Sequence, residues 1–236
     1  IINSPQVLIQ LNAQLEKQSP QEILNWIKRH ARQYDVLFST AFGREGVCLI
    51  HMFSSILPKA CIANLDTGYQ FKETIQLKQK LERRYGLQFQ IDHSTLNVEH
   101  YEKSHGGPVY KSNPDKCCFN RKVQVLRRVV PKFKIWVTAI RREQAKTRAN
   151  APIVSWDEQF SIIKVNPLVL WSKKEVLSYI KIHKIPYNTL YDQGYQSIGC
   201  WPCTNTSSEN EDERRGRWKN KEKTECGLHY PSENTK

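Results

Sequence analysis

Short apolar runs alternate with amphipathic stretches along most of the chain, and nothing else in the sequence restricts the fold as much. Residues 35–39 (DVLFS), 60–65 (ACIANL), 89–91, 134–140 (KIWVTAI) and 161–165 read as strands. Residues 47–57, 73–85, 118–129 and 173–182 carry apolar positions at three- and four-residue spacing and read as helices. Leu8, Leu11 and Leu15 share a helical face near the start, and Ile23, Trp26 and Ile27 form the next. Gly86 is placed to close the helix over 73–85, and Ser172 to cap the one over 173–182. Residues 93–115 hold Gly106, Gly107, Pro108 and Pro114 and read as irregular. Such alternation predicts an α/β fold: a doubly wound, mostly parallel sheet flanked by helices.

In sheets of this kind ligands sit beyond the strand C-terminal ends, and three polar motifs fall there. The first is Ser39, Thr40, Ala41, Phe42, Gly43 and Arg44, running on to Glu45 and Gly46; a helix N-terminus with exposed amides makes an anion site. It lacks the G-K-[S/T] ending of a Walker A loop. The second is Leu65, Asp66, Thr67 and Gly68. The third is Arg141, Arg142 and Gln144, with Arg148 shortly after. Together they predict one nucleotide-sized site at the sheet edge. The bland alternative for each is an ordinary turn or a solvated basic surface.

The seven cysteines divide by setting. Cys48 and Cys61 fall in a helix and a strand and read as core. Cys117 and Cys118 are adjacent, and Cys200 and Cys203 form a C-x-x-C pair some eighty residues later. Two close pairs at long range suit one metal centre, either a cubane iron–sulfur cluster or a structural zinc. Lys122 lies one turn after Cys118, where its charge offsets that of a thiolate-ligated centre. Cys226 stands apart, with Lys221, Lys223 and His229 near it in sequence. Positive neighbours lower a thiol pKa, which marks Cys226 as a candidate nucleophile rather than a packing residue. Arg214 and Arg217 belong to a basic, glycine-hinged stretch (RRGRW) suited to binding sulfate or phosphate oxygens.

With 36 Lys and Arg against 23 Asp and Glu, the net charge is +13. Such a field attracts anions: nucleic acid, acidic proteins or phosphorylated metabolites. The basic residues are scattered and no nucleic-acid motif is present, so a zinc-stabilised nucleic-acid-binding module stands only as a rival reading. No apolar run approaches the ~18–20 residues of a membrane span. No signal peptide is visible; the chain begins at Ile1, so residues can be missing upstream. The cysteines lack disulfide-like spacing, which favours a reducing cytoplasm. Residues 204–213 are polar and acidic and read as a flexible linker. The expected division is therefore residues 1–203, a nucleotide-binding α/β domain carrying the metal centre, and residues 204–236, a mobile C-terminal tail carrying the catalytic cysteine.

Taken together, the chain resembles the sulfonucleotide reductases of assimilatory sulfate reduction. The resemblance rests on Leu65-Asp66-Thr67-Gly68 with Phe71, Glu73 and Thr74; Ser112-Asn113-Pro114; Cys117-Cys118 with Lys122; Arg141-Arg142-Glu143-Gln144; Ile198-Gly199-Cys200 with Cys203; Gly216-Arg217-Trp218; and Glu225-Cys226-Gly227-Leu228-His229. It implies an adenine nucleotide alpha hydrolase-like fold. It also implies one [4Fe–4S] cluster on Cys117, Cys118, Cys200 and Cys203, because those cysteines mark the cluster-bearing branch, which mostly reduces adenosine 5′-phosphosulfate. In that family the terminal cysteine attacks the sulfur, AMP leaves, and thioredoxin or a glutaredoxin-like reductant releases sulfite from the cysteine S-sulfonate. Cys226 is then the nucleophile, with Lys122, Arg214, Arg217 and His229 stabilising charge; a homo-oligomer is allowed for. One departure matters. The first loop of cluster-bearing members often reads S-G-A-E-D, whereas Thr40-Ala41-Phe42-Gly43 is similar to the branch using the 3′-phosphorylated substrate, and Arg44 adds a positive charge near where a 3′-phosphate would sit.

Overall fold

A computed structural model of the chain describes residues 4–208, 212–219 and 221–229. Six strands form one sheet in the order β3-β2-β1-β4-β6-β5. They are β1 (Val36–Ser39), β2 (Cys61–Asp66), β3 (Gln90–His93), β4 (Ile135–Val137), β5 (Val154–Asp157) and β6 (Ile162–Val165). All neighbours are parallel except β5, which pairs antiparallel with β6. The sheet is α/β and doubly wound, as the alternation predicts. The chain runs outward from β1 to β2 and β3, then returns to place β4 on the other side of β1. This puts the topological switch point, where a crevice opens, between β1 and β4.

One face of the sheet is covered by α1 (Pro5–Leu15), α2 (Pro20–His30), α3 (Arg44–Ile56), α4 (Lys72–Tyr85) and α9 (Lys173–Ile182), which contribute to a single large core with Phe38, Val137 and Val165. A smaller core on Leu37, Ala63 and Trp136 takes Val123, Leu126 and Val129. Local signals hold these helices in place. Ser19 and Ser172 each form a full capping box, with Glu22 and Glu175. Gly86 closes α4 in the left-handed region, at φ 62°.

Three expectations change. Residues 93–115 are largely helical rather than irregular: α5 (Val98–Ser104) is capped by Asn97, and α6 (Val109–Ser112) follows the turn at Gly106 and Gly107. The helix expected over 118–129 does not start at Cys118: Cys117 and Cys118 end a separate helix, α7 (Pro114–Cys118), which Asn113 caps and Pro114 starts. The chain then widens into a π turn over Phe119–Val123 before α8 (Gln124–Val129); such turns re-aim side chains and recur at functional sites. β5 is a further strand, absent from the expectation, whose four residues are too few for a clear alternation. No helix among the described residues is long and apolar enough to cross a membrane.

Candidate active site

A cavity of ≈ 200 Å³ opens at the switch point. The loop after β1 forms its floor. Thr40 anchors that loop: its amide donates to Ala63 O at 2.9 Å, and its Oγ1 accepts from Phe42 N at 3.0 Å. A Cβ at Gly46 would collide with Thr40 Oγ1, so glycine is what allows α3 to start against the loop. Arg44 lies with its guanidinium carbon 3.9 Å from the centre of the Tyr191 ring, and its amide donates to Tyr191 Oη at 3.3 Å. Its Nη1 is buried and has no hydrogen-bond partner among the described residues.

Two arginines after β4 hold the tail. Arg141 is fully buried. Its Nε donates to Glu45 at 2.8 Å, Nη1 to Glu143 at 2.9 Å, and Nη2 to both oxygens of Glu213 at 2.7 and 3.0 Å. Arg148 makes a bidentate pair with Glu225, Nε–Oε1 2.8 Å and Nη2–Oε2 2.9 Å, and its Nη1 donates to Gln144 at 2.6 Å. Arg214 shares Glu225 at 3.0 Å. Thr204 and Arg217 form an antiparallel bridge, and Trp218 N donates to Cys203 O at 3.0 Å. Residues 212–219 and 221–229 thus close over the cavity, while 209–211 of the expected linker lie outside the described residues.

Cys226 is half-buried and lines this cavity together with Lys122, Arg214, Arg217 and His229. Burial alone would raise its thiol pKa, but Lys122, Arg214 and the Leu228 amide together bring it below the ordinary value, against the opposing charge of Glu225. Burial opposes the charge of Lys122, yet the facing Cys200, Cys118 and Cys226 raise its pKa. Burial, helped by Lys164, Arg148, Arg214 and Lys122, holds His229 well below the usual imidazole range, so it is neutral. Its ring stacks near-parallel on Trp136, centroids 5.8 Å apart. Arg217 lies directly over Gly199, where any Cβ would meet its guanidinium.

A second, narrow crevice adjoins the first through Lys122 and is lined by all four paired cysteines. Cys117 and Cys118 come from the end of α7. Cys200 is placed by a bridge to Gln70 and by a 3.2 Å contact with Thr67 Oγ1, and Cys203 by the turn over Trp201–Cys203. Burial and the facing Cys118, Cys200 and Cys203 push the Cys117 thiol up to about 12; burial pushes Cys118 up to about 11. Among the described residues no three Cys, His, Asp or Glu are spaced to hold a single metal ion. The donor set nonetheless fits a larger group: four thiols surround one crevice, and Trp218 Nε1, buried without an acceptor among the described residues, borders it.

Most of the residues singled out by sequence meet at these two cavities. Ser39, Thr40, Ala41, Gly43, Arg44, Leu65, Gln144 and Arg148 line the first, and Thr67 the second. Five do not. Phe42, at φ 57°, turns its ring into the core against Phe89. The Asp66 carboxylate is engaged by the Gly68 amide at 2.8 Å and by His93, and neither Asp66 nor Gly68 borders the cavity. The donors of Arg141 are taken by three carboxylates and the Trp171 carbonyl, so it braces the site instead of facing it. Arg142 points away, to Ala151 O and Glu16. Tyr191, Gln196 and Glu213 line the cavity without having been singled out; only the Asn188 cap before Tyr191 is a local signal.

Residues 35–206 match the model of the phosphoadenosine phosphosulfate reductase domain. An adenosine 5′-phosphosulfate reductase of Salinibacter ruber is 39% identical over 227 residues, covering 96% of this chain and 90% of that protein. A protein of the same name from Staphylococcus haemolyticus is 41% identical over 209 residues, 88% of this chain and 86% of its own. The crystal structure of a phosphoadenylyl-sulfate reductase from Candida auris, a phosphate complex, superposes with a TM-score of 0.76 at 31% identity, covering 86% of this chain and 98% of that one. By sequence and by architecture, the chain belongs to the phosphoadenosine phosphosulfate reductase family.

Proposed function

We propose that this enzyme reduces adenosine 5′-phosphosulfate to sulfite and AMP, with electrons from a thioredoxin or glutaredoxin-like dithiol, in a reducing cytoplasm. The observation that carries the reading is Cys226, a thiol with a lowered pKa, set among Lys122, Arg214 and Arg217 in the cavity at the switch point of the sheet. The names of the related proteins support the substrate.

The Cys226 thiolate attacks the sulfate sulfur, and the bond from that sulfur to the phosphate oxygen breaks. AMP leaves with the electron pair, and a cysteine S-sulfonate remains. Lys122, Arg214 and Arg217 offset charge on the sulfonyl and phosphate oxygens. The reductant's thiolate then attacks the Cys226 sulfur. Sulfite leaves with the electron pair of the S–S bond, and the reductant's second thiol resolves the mixed disulfide. Neutral His229, which burial and the surrounding cations keep unprotonated, can donate a ring N–H to a sulfonyl or phosphate oxygen.

Cys117, Cys118, Cys200 and Cys203 are the proposed ligands of a [4Fe–4S] cluster. The support for this reading is that all four thiols line one crevice, and four thiolates are the usual shell of such a cluster. When bound, the cluster supplies a fixed anionic charge beside Lys122 and cross-links α7 to residues 200–203. A second reading, use of the 3′-phosphorylated substrate as well, is favoured by the buried, unpaired Nη1 of Arg44 at the cavity wall.

The test is thioredoxin-dependent sulfite release by anaerobically prepared protein, with both nucleotides compared. Release from adenosine 5′-phosphosulfate that vanishes in Cys226→Ser is the expected result. Release from neither nucleotide, with the visible chromophore intact, would overturn the reading. If Arg44→Ala changes kcat/KM for neither substrate, the second reading falls.

A further inference from the structure

The cations around Cys226 are not all free to meet a substrate. Arg148 and Arg214 both line the cavity, and both are bonded to the carboxylate of Glu225, the residue directly before the nucleophile. That carboxylate also accepts from Thr147 Oγ1 at 3.4 Å, and its side chain is only 9% exposed. Arg148 presents its Nε and Nη2 as a two-pronged fork, the same geometry that binds two oxygens of a phosphoryl or sulfonyl group. Arg214 is held to the tail as well, its Nη2 donating to Thr224 O at 3.1 Å.

Glu213 and Glu45 line the cavity too, but Arg141 engages both. Among the described residues, Glu225 is therefore the carboxylate paired with the cavity's own arginines. Because it adjoins Cys226 in the chain, whatever moves it moves the nucleophile.

We propose that Glu225 is the internal ligand of an anion subsite. In the free enzyme its carboxylate occupies the Arg148–Arg214 pair, and an anionic group of the substrate takes its place, releasing the tail segment around Cys226 from the wall of the cavity. No bond is made or broken in the exchange: one oxyanion replaces another on the same guanidinium donors. Glu225 is thus a positioning residue that couples occupation of the site to the placement of the nucleophile. That the displacing anion belongs to a sulfonucleotide rests on the function proposed above; the exchange itself does not.

The experiment compares the native holoenzyme with Glu225→Gln and Glu225→Asp, using AMP and inorganic sulfate as separate calorimetric probes. Removing a competing charge-assisted pair should tighten binding of both probes to Glu225→Gln by roughly tenfold. Glu225→Asp, with a shorter reach, should fall between. A second readout is limited proteolysis of the tail. AMP should accelerate cleavage near residues 219–225 in the native enzyme and leave Glu225→Gln, already released, unchanged. Equal or weaker binding of both probes to Glu225→Gln would overturn the exchange and leave Glu225 as a brace that organises the arginines. If AMP binds none of the proteins while sulfate still prefers Glu225→Gln, the exchange stands and the nucleotide reading falls.

Discussion

Two neighbouring cavities share the side chain of Lys122, and they treat the same functional group in opposite ways. In the crevice of the four paired cysteines, thiols face thiols and aromatic rings. Burial and the facing thiols push Cys117 up to about 12, and burial pushes Cys118 up to about 11 against the charge of Lys122. In the cavity at the switch point, burial acts on Cys226 in the same direction, but Lys122 and Arg214 face it and its pKa falls below the ordinary value. Lys122 opposes the rise at Cys117 and Cys118 as well; what differs at Cys226 is that Arg214 and the Leu228 amide add to it. Thiols whose pKa is raised, as at Cys117 and Cys118, stay protonated until a cation with open coordination arrives, which suits a metal centre. A single thiol among fixed cations gives up its proton more readily without a metal, which suits a nucleophile. Lys122 on the wall between them serves both.

The largest effects come from exchanging the two kinds of cysteine. Cys200→Ser should lose both the visible absorbance of the proposed cluster and all turnover. Cys226→Ser should keep absorbance and AMP affinity while turnover drops by at least about 10³-fold. Absorption spectra beside sulfite release decide it. Loss of colour in Cys226→Ser would make that residue a ligand and erase the distinction.

Part of that distinction is legible in the amino-acid sequence. The pairing of Cys117-Cys118 with Cys200 and Cys203, and the isolation of Cys226 among basic residues, are patterns in the chain itself. So are β1, β2 and α4, whose apolar periodicity is set by the core they enter. What local patterns do not carry is long-range. Arg141 meets Glu45 and Glu213 across 96 and 72 residues, and no local pattern foretells such a hub. Phe42 lies in a polar loop and reads as part of its site, yet one positive φ turns it into the core. The short helices of residues 93–115 depend on the Asn97 and Asn113 caps, a weaker signal than the glycines and prolines around them.

Arg141 sharpens the comparison because it braces only one of the two cavities. Its three carboxylates come from α3, from its own turn and from the tail, and two of them, Glu45 and Glu213, line the cavity of Cys226. Arg141→Met leaves Glu45 and Glu213, whose side chains are largely buried, uncompensated, and should cost about 3–5 kcal/mol of stability. Glu213→Gln, which removes one carboxylate and keeps the cation, should cost less. In both variants the folded protein should keep its cluster absorbance while AMP affinity falls. If colour is lost in step with AMP affinity, the cavities are one cooperative unit.

Lys122→Met acts on the wall itself. Without the ammonium the Cys226 pKa should rise, because Lys122 is the foremost of the charges that lower it. The pH dependence of iodoacetamide alkylation at Cys226 measures this directly. On the acid limb of the rate profile kcat/KM should fall by roughly tenfold with the loss of one fixed charge, and that limb should move up in pH. An unchanged alkylation profile would leave Arg214 and the Leu228 amide as the source of the lowered pKa.

His229 gives the smallest effect, and its sign follows from linkage. Its pKa in the folded state lies well below that of a free imidazole because burial and the facing Lys164, Arg148, Arg214 and Lys122 all oppose a proton. The unfolded chain therefore binds a proton first as pH falls through about 6.5. Below that point stability should drop by up to about 1.4 kcal/mol per pH unit until the folded-state pKa is reached; above it His229 contributes no slope. His51, also lowered by burial and by His183 and Arg84, adds to the same trend, so His229→Gln should flatten the slope without removing it. Thermal midpoints of parent and variant, compared from pH 8 down to pH 5, should keep a constant gap above about pH 7 and shift in the variant's favour below about 6.5. A gap that stays constant throughout would mean that His229 takes up its proton in the folded enzyme as readily as in the unfolded chain. The Trp136 stack and the four surrounding cations would then exert no net control over its charge.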